Sequence, residues 1–303
     1  MRVRWMLIVV YALAIPLYVL LTFAAPTTDN RFQLSATSTL LLQATFIVPI
    51  VLIWLQGVSG AVAFKAYVQQ RSRGTETKAL DTVANGVMIL LTGLIVTSVY
   101  GALRPYAIEA GNVQAFQISR NYLSIFFQLL GTVIVFRGSR QLLGACSIFP
   151  LSRRSLGILG AIIGVVMTGL LVLLYQDPYR NDSPDPGRYS SFFLPDSLII
   201  LTILAPYAVN WFIGLVGAIN IRRYSRNIRN DYRQRAYSRL SLGIASIIGV
   251  TILLQLLTIL TPVVAELSLG ALLLVYYILV LFYGLGYFLI ASGARKLEKG
   301  ARR

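Results

Sequence analysis

Apolar residues gather into eight blocks along the chain, at about 5–24, 40–64, 81–103, 113–136, 156–175, 196–219, 240–260 and 267–292. Polar and charged residues collect between them. Roughly 20 apolar residues carry a helix across a hydrocarbon core about 30 Å thick, so each block predicts one membrane-spanning helix. The fourth block is the most interrupted, with Arg120 and Asn121 near one end. Arg120 and Arg137 are 17 residues apart, roughly 25 Å at ~1.5 Å per residue, so the two can snorkel to opposite interfaces. Residues 141–151 are apolar but too short to cross, which predicts an interfacial or re-entrant stretch. The first block resembles a signal peptide in its flanks, Arg2 and Arg4 before it and Ala24-Ala25 after. Its run of about 20 residues exceeds the roughly 7–15 of a signal core, so a mature helix is expected.

Charge sets the expected orientation. Of 27 basic residues, 22 fall on one side of an eight-span topology and only Arg31, Arg104, Arg120, Arg180 and Arg188 on the other. The positive-inside rule then puts both termini in the cytoplasm of a multi-pass protein of the plasma (inner) membrane. Composition agrees: 56% of residues are apolar, 13% are charged and mean hydropathy is +0.71. A soluble domain averages about 45–50% and about 25%.

The chain also resembles itself. A shift of 157 residues aligns blocks two and three with six and seven without a gap and gives twelve identities over 61 positions. These include Pro49/Pro206, Trp54/Trp211, Gly57/Gly214, Gly60/Gly217, Tyr67/Tyr224 and Gly86/Gly243. A shift of 155 pairs Tyr122/Tyr277, Phe127/Phe282, Gly131/Gly286, Gly138/Gly293 and Arg140/Arg295. Coincident tryptophans, prolines and glycines carry more weight than coincident leucines, because they have specific backbone or interface roles. The expected fold is an all-α polytopic bundle of eight transmembrane helices. It is built as two four-helix repeats, 1–150 and 151–303. Four spans per repeat is an even number, so the repeats are parallel and related by a pseudo-two-fold axis along the membrane normal.

Candidate chemistry is sparse. The chain has no histidine and one cysteine, Cys146, which removes histidine triads, histidine-based zinc or haem sites and an internal disulfide. No lysine or carboxylate sits at a span centre, where it would mark an ion pathway. No enzyme, no cofactor and no metal site is expected. Pro49 and Pro206 fall mid-span at corresponding positions. Each predicts a kink, which is a packing feature first and a marker of a transport site second. Around them Trp54, Gln56, Tyr207, Asn210 and Trp211 are the candidates for a substrate site at the seam. Tyr207 and Asn210 are polar where the first copy has Ile50 and Ile53, and an interhelical hydrogen bond is their simpler role. Gly57, Gly60, Ala61, Gly160, Gly164, Gly214, Gly217 and Ala218 form small-residue motifs that predict close helix packing.

Between 222 and 239 the charge is densest. Arg222, Arg226, Arg229 and Arg233 are spaced to form one stripe on a helix, with Arg235 and Arg239 as a second pair. Each basic residue near an anionic leaflet contributes about 1 kcal/mol. Anionic lipids on the cytoplasmic side are the expected partners, an acidic protein partner a second possibility, and nucleic acid is not expected because no aromatic platform accompanies the charge. The loop 176–195, with three aspartates and four prolines, lacks the ligand series of a calcium cage and predicts a solvated loop. Two function classes follow. The first is a non-catalytic scaffold, sensory or assembly subunit that docks lipids or a partner through its basic face. The second is a facilitative transporter or channel using the interface between repeats.

Overall fold

The computed structural model describes residues 2–23, 36–70, 74–144, 205–259 and 269–301. Among them the chain is all-helical. The helices are α1 (Arg2–Phe23), α2 (Ala36–Gln70), α3 (Thr75–Gly101), α4 (Arg104–Glu109), α5 (Val113–Leu143), α6 (Ala205–Arg226), α7 (Asp231–Ile259) and α8 (Leu269–Ala301). Five stretches are long and apolar enough to cross a membrane: Gln43–Gln69, Thr75–Gly101, Tyr122–Leu143, Asp231–Leu253 and Leu274–Lys299. Tyr11–Phe23 is a shorter apolar helix. The expected fifth span, the fused junction near 150, the loop 176–195 and the first residues of the sixth span lie outside the described residues.

Two local expectations are revised. Residues 141–143 are the last turn of α5, which ends where Gly144 takes φ +59° and its N–H bonds to the carbonyl of Arg140; the rest of the expected interfacial stretch, 145–151, lies outside the described residues. A left-handed φ is open to glycine at no steric cost, so the helix stops there. The expected arginine stripe does not exist. Arg222 and Arg226 end α6, Arg229 lies in a turn, and Arg233 belongs to α7. The break has a cause: the Asn230 side-chain oxygen accepts from the backbone N–H of Tyr232 at 3.0 Å and of Arg233 at 3.1 Å, an N-cap that starts a new helix.

Six helices close into a ring. α2 packs on α3, α3 on α5, α5 on α6, α6 on α7, α7 on α8 and α8 back on α2, while α1 lies outside against α2 and α3. The contacts recur at the offsets found in the sequence. A Cβ on Gly86 would lie 2.7 Å from the carbonyl oxygen of Gly131 and from the backbone nitrogen of Val135. One on Gly243 would lie 2.6 Å from the carbonyl of Gly286 and 3.0 Å from the nitrogen of Ile290. Likewise Gly138 faces the carbonyl of Ala79 and Gly293 that of Ala236, each at 2.8 Å. Gly60 sits against Ala291 and Gly217 against Phe136. Gly57 meets Leu91 and Tyr287, and Gly214 meets Ile248 and Thr132. Ala61 and Ala218 are buried, and the Ala218 carbonyl accepts from the Ser241 hydroxyl at 2.8 Å. Gly160 and Gly164 lie outside the described residues.

At the Thr75 end of α3 the ring is drawn together by charge. Arg233 pairs with Glu76, whose carboxylate also accepts from the Tyr237 hydroxyl at 2.6 Å. Tyr224 packs edge-on to Tyr237 at 5.1 Å. Burial, then the neighbouring Glu76 carboxylate, push the Tyr224 hydroxyl up to about 12, so it stays protonated at neutral pH. Lys65 pairs with Asp81 between α2 and α3. Toward this end Leu80, Val83, Val87, Leu240 and Ile244 fill the interior, each almost fully buried.

Glycine packing is the testable feature. Replacing Gly86 or Gly243 with alanine drives a methyl into a facing backbone and should lower stability by about 1–3 kcal/mol. Gly249, with open space around it, should tolerate alanine and gain up to about 1 kcal/mol from helix propensity. Unfolding midpoints in detergent would check this, and equal effects at the three positions would contradict the packing.

Candidate functional site

A chamber of about 260 Å³ occupies the other half of the ring's interior. On α5 it is lined by Arg120, Ser124, Gln128 and Thr132. Residues four apart share one helix face, so these four form a single polar stripe on α5. α3 contributes Leu90, Gly93, Leu94, Thr97 and Ser98. α7 contributes Ile247, Ile248 and Thr251, and α8 contributes Tyr283 and Tyr287, again four apart. α6 contributes Tyr207 and Asn210.

The polar side chains join across the α5–α6 contact. The Thr132 hydroxyl donates to Asn210 Oδ1 at 2.6 Å, Asn210 Nδ2 donates to Gln128 Oε1 at 3.2 Å, and Gln128 Nε2 donates to the Ser124 oxygen at 3.0 Å. Thr132 is 1% exposed and Asn210 2%, so these bonds satisfy amide groups that would otherwise be stranded. Deeper along the same pair of helices Asn220 Nδ2 reaches the Ser139 hydroxyl at 3.4 Å. The Tyr287 hydroxyl is buried on the chamber wall with no hydrogen-bond partner among the described residues. Its ring stacks with that of Tyr283 at 6.4 Å. Gly101 gives Arg120 its place: a Cβ there would come within 3.3 Å of the guanidinium carbon. A second, apolar cavity of about 140 Å³ adjoins the first, sharing Leu94, Ser98 and Tyr283 and lined also by Ile50, Ile53 and Trp54.

The sequence candidates therefore separate. Tyr207 and Asn210 line the polar chamber, and Asn210 makes the interhelical bonds expected of it. Their counterparts at the 157-residue offset, Ile50 and Ile53, line the apolar cavity with Trp54. Trp211 stands beside Tyr207 at 6.2 Å between ring centres. The indole N–H groups of Trp54 and Trp211 are buried without a partner among the described residues. Gln56 is half-buried and lines neither cavity. Pro49, half-buried within α2, and Pro206, buried in the first described turn of α6, line neither. The polar chamber is instead lined by α3, α5, α6, α7 and α8. Arg120, Ser124, Gln128 and Thr132 were absent from the candidates, although their four-residue spacing is visible in the sequence. Of the arginines, Arg233 is taken up by Glu76, Arg239 donates to the Ser292 hydroxyl at 3.0 Å, and Arg226, Arg229 and Arg235 are exposed while Arg222 is half-buried.

No group of three His, Cys, Asp or Glu that could hold a metal ion occurs among the described residues. The chain matches no protein-family model, no curated protein and no solved structure.

The Thr132–Asn210–Gln128 chain predicts its own energetics. Thr132→Val keeps the volume and removes the donor, and should cost about 0.6–2 kcal/mol, the range of interhelical bonds in membrane helices. A double-mutant cycle with Asn210→Ala, read from unfolding midpoints, should show coupling. Additive effects would mean that the two helices do not depend on the bond.

Proposed function

We propose that the chain is a multi-pass membrane protein made of two parallel four-helix repeats, and that it binds a small polar solute in the chamber and lets it pass by facilitated transport. One observation carries the reading: the stripe Arg120–Ser124–Gln128–Thr132 faces an interior chamber while the outward faces are apolar. Leu13, Leu52, Phe126, Phe212 and Leu281 are among the large side chains turned outward. Polar groups cost free energy inside a bilayer, and where they line a cavity they mark a solute pathway by default. The ring order and the glycine contacts at matching offsets support the repeat, with the chamber at the interface between copies 1–150 and 151–303.

Charge bias supports both termini in the cytoplasm. In that orientation the chamber belongs to the extracytoplasmic half, and the apolar layer around Leu80, Val87 and Ile244 with the Glu76–Arg233 pair closes the cytoplasmic half. The arrangement is that of a carrier with one side sealed. To test it, Ser124→Cys in a Cys146→Ser background is reconstituted in vesicles and exposed to a membrane-impermeant thiol reagent. Rapid labelling from one side is expected, with Val87→Cys inert. A Ser124→Cys variant inert from both sides would mean a dry chamber and end the transport reading.

A second reading rests on the basic end of the bundle, where Arg223, Arg226, Arg229 and Arg235 are exposed together. They suit anionic lipid headgroups, or an acidic protein partner, at the cytoplasmic surface. Replacing Arg226, Arg229 and Arg235 with glutamine should weaken retention of phosphatidylglycerol by the purified protein several-fold. Unchanged retention would remove lipid docking from that face.

A further inference from the structure

We propose that the solute seated in the chamber is a small oxyanion, a carboxylate or a phosphate ester, gripped by Arg120 with the Ser124 hydroxyl beside it. The inference rests on the solute-binding reading of the chamber and adds the chemistry of the ligand.

Three observations point the same way. First, Arg120 is the one charged residue lining the chamber among the described residues, and no carboxylate among them pairs with it. A guanidinium offers donors in a planar fork and accepts nothing, so its complement is a bidentate oxyanion. Second, the hydrogen bonds of the stripe are ordered. Thr132 donates to Asn210, Asn210 to Gln128, and Gln128 to Ser124. The chain ends at Ser124, one turn from Arg120, with a hydroxyl whose proton no described residue claims. The Tyr287 hydroxyl adds another unpartnered group on the wall. Beside Arg120 the stripe thus ends in a hydroxyl donor next to a cation, an arrangement that stabilises negative charge, whereas Thr97, Ser98 and Thr251 elsewhere on the wall donate to backbone carbonyls. Third, Arg104 lies close enough to Arg120 to add to the positive field there, and its buried Nε has no partner among the described residues. Among the described residues no ion pair neutralises either guanidinium, and like charges that feel each other favour an anion between them.

Size limits the ligand. A volume of about 260 Å³ equals that of eight or nine waters at roughly 30 Å³ each. That gives room for a benzoate or a glycerol phosphate. The same oxyanion could come from a free solute or from the headgroup of a phospholipid, which the test separates.

The full chain, purified in a neutral detergent, is titrated by calorimetry with two matched pairs: benzoate against benzamide, and glycerol 3-phosphate against glycerol. Binding of at least one anion is expected, with its neutral partner at least tenfold weaker. Arg120→Gln should weaken the anion by tenfold or more. Arg120→Lys should recover part of the loss, and Ser124→Ala should weaken it about threefold. Retained phosphatidylglycerol that glycerol 3-phosphate displaces from the wild type, and that Arg120→Gln does not hold, would identify the lipid as the source. Anion binding with no such retention would identify a free solute. Equal binding of the neutral partners, anion binding untouched by both Arg120→Gln and Ser124→Ala, or no binding of either anion would overturn the oxyanion assignment. None of these touches the chamber itself, whose wetness is decided by labelling of Ser124→Cys. If Arg120→Gln fails to fold, Ser124→Ala and the charge-matched pairs still decide the matter.

Discussion

Close approach of helix backbones at glycine is the constraint on which the rest depends. In the lipid setting of the proposed function, apolar side chains gain nothing by leaving one apolar medium for another, and helix association rests on van der Waals contact at short range. Gly86 against Gly131 and Gly243 against Gly286 bring two pairs of helices so near that a single methyl on either side meets a carbonyl oxygen. These two contacts fix α3 on α5 and α7 on α8. Gly60 against Ala291 and Gly217 against Phe136 then join the pairs through α2 and α6. Interior space is what remains when six helices are held at those distances. At one end it is filled by leucine, valine and isoleucine. At the other, smaller and polar side chains leave it open.

The parts of this fold that follow from composition and period were legible in the residues. Long apolar runs, the self-similarity at 157 and 155, and the small-residue spacing of Gly57 and Ala61 are all properties of local sequence, and helices appear where the described residues cover them. Which helices touch was not legible, because ring order is a property of the whole. Pro49 and Pro206 were natural markers of a site, but a proline announces a change in its own helix and says nothing about which neighbour it faces. The polar stripe was the reverse case. Arg120 reads in isolation as a snorkelling residue at a span end, and Gln128 as a stray amide. Only the common spacing of Arg120, Ser124, Gln128 and Thr132 makes them one surface. The arginine stripe failed for a local reason: Asn230 caps a new helix between Arg229 and Arg233, and a stripe cannot pass through a cap.

Under the duplication reading, the two halves differ where they enclose space. Tyr207 and Asn210 line a polar chamber, whereas Ile50 and Ile53 at the matching offset line an apolar one next door. Gln128 and Thr132 correspond likewise to Tyr283 and Tyr287, so one α5–α6 contact is hydrogen-bonded and its α8–α2 counterpart is aromatic. An unsatisfied amide in a dry interior costs more than a missing hydrogen bond in water. Asn210, Gln128 and Thr132 meet that cost by bonding one another, whereas Asn220 bonds through its nitrogen alone among the described residues.

Glu76 and Arg233 hold the same place in the two copies under the duplication reading, since their numbers differ by 157. A dimer of identical first halves would bring two carboxylates together there, and a dimer of second halves two guanidiniums. Only the mixed arrangement is attractive, so the ion pair discriminates against self-association as much as it supports the joined form. The covalent link between halves then has a thermodynamic counterpart: a gene split at the junction would yield fragments that prefer each other to themselves.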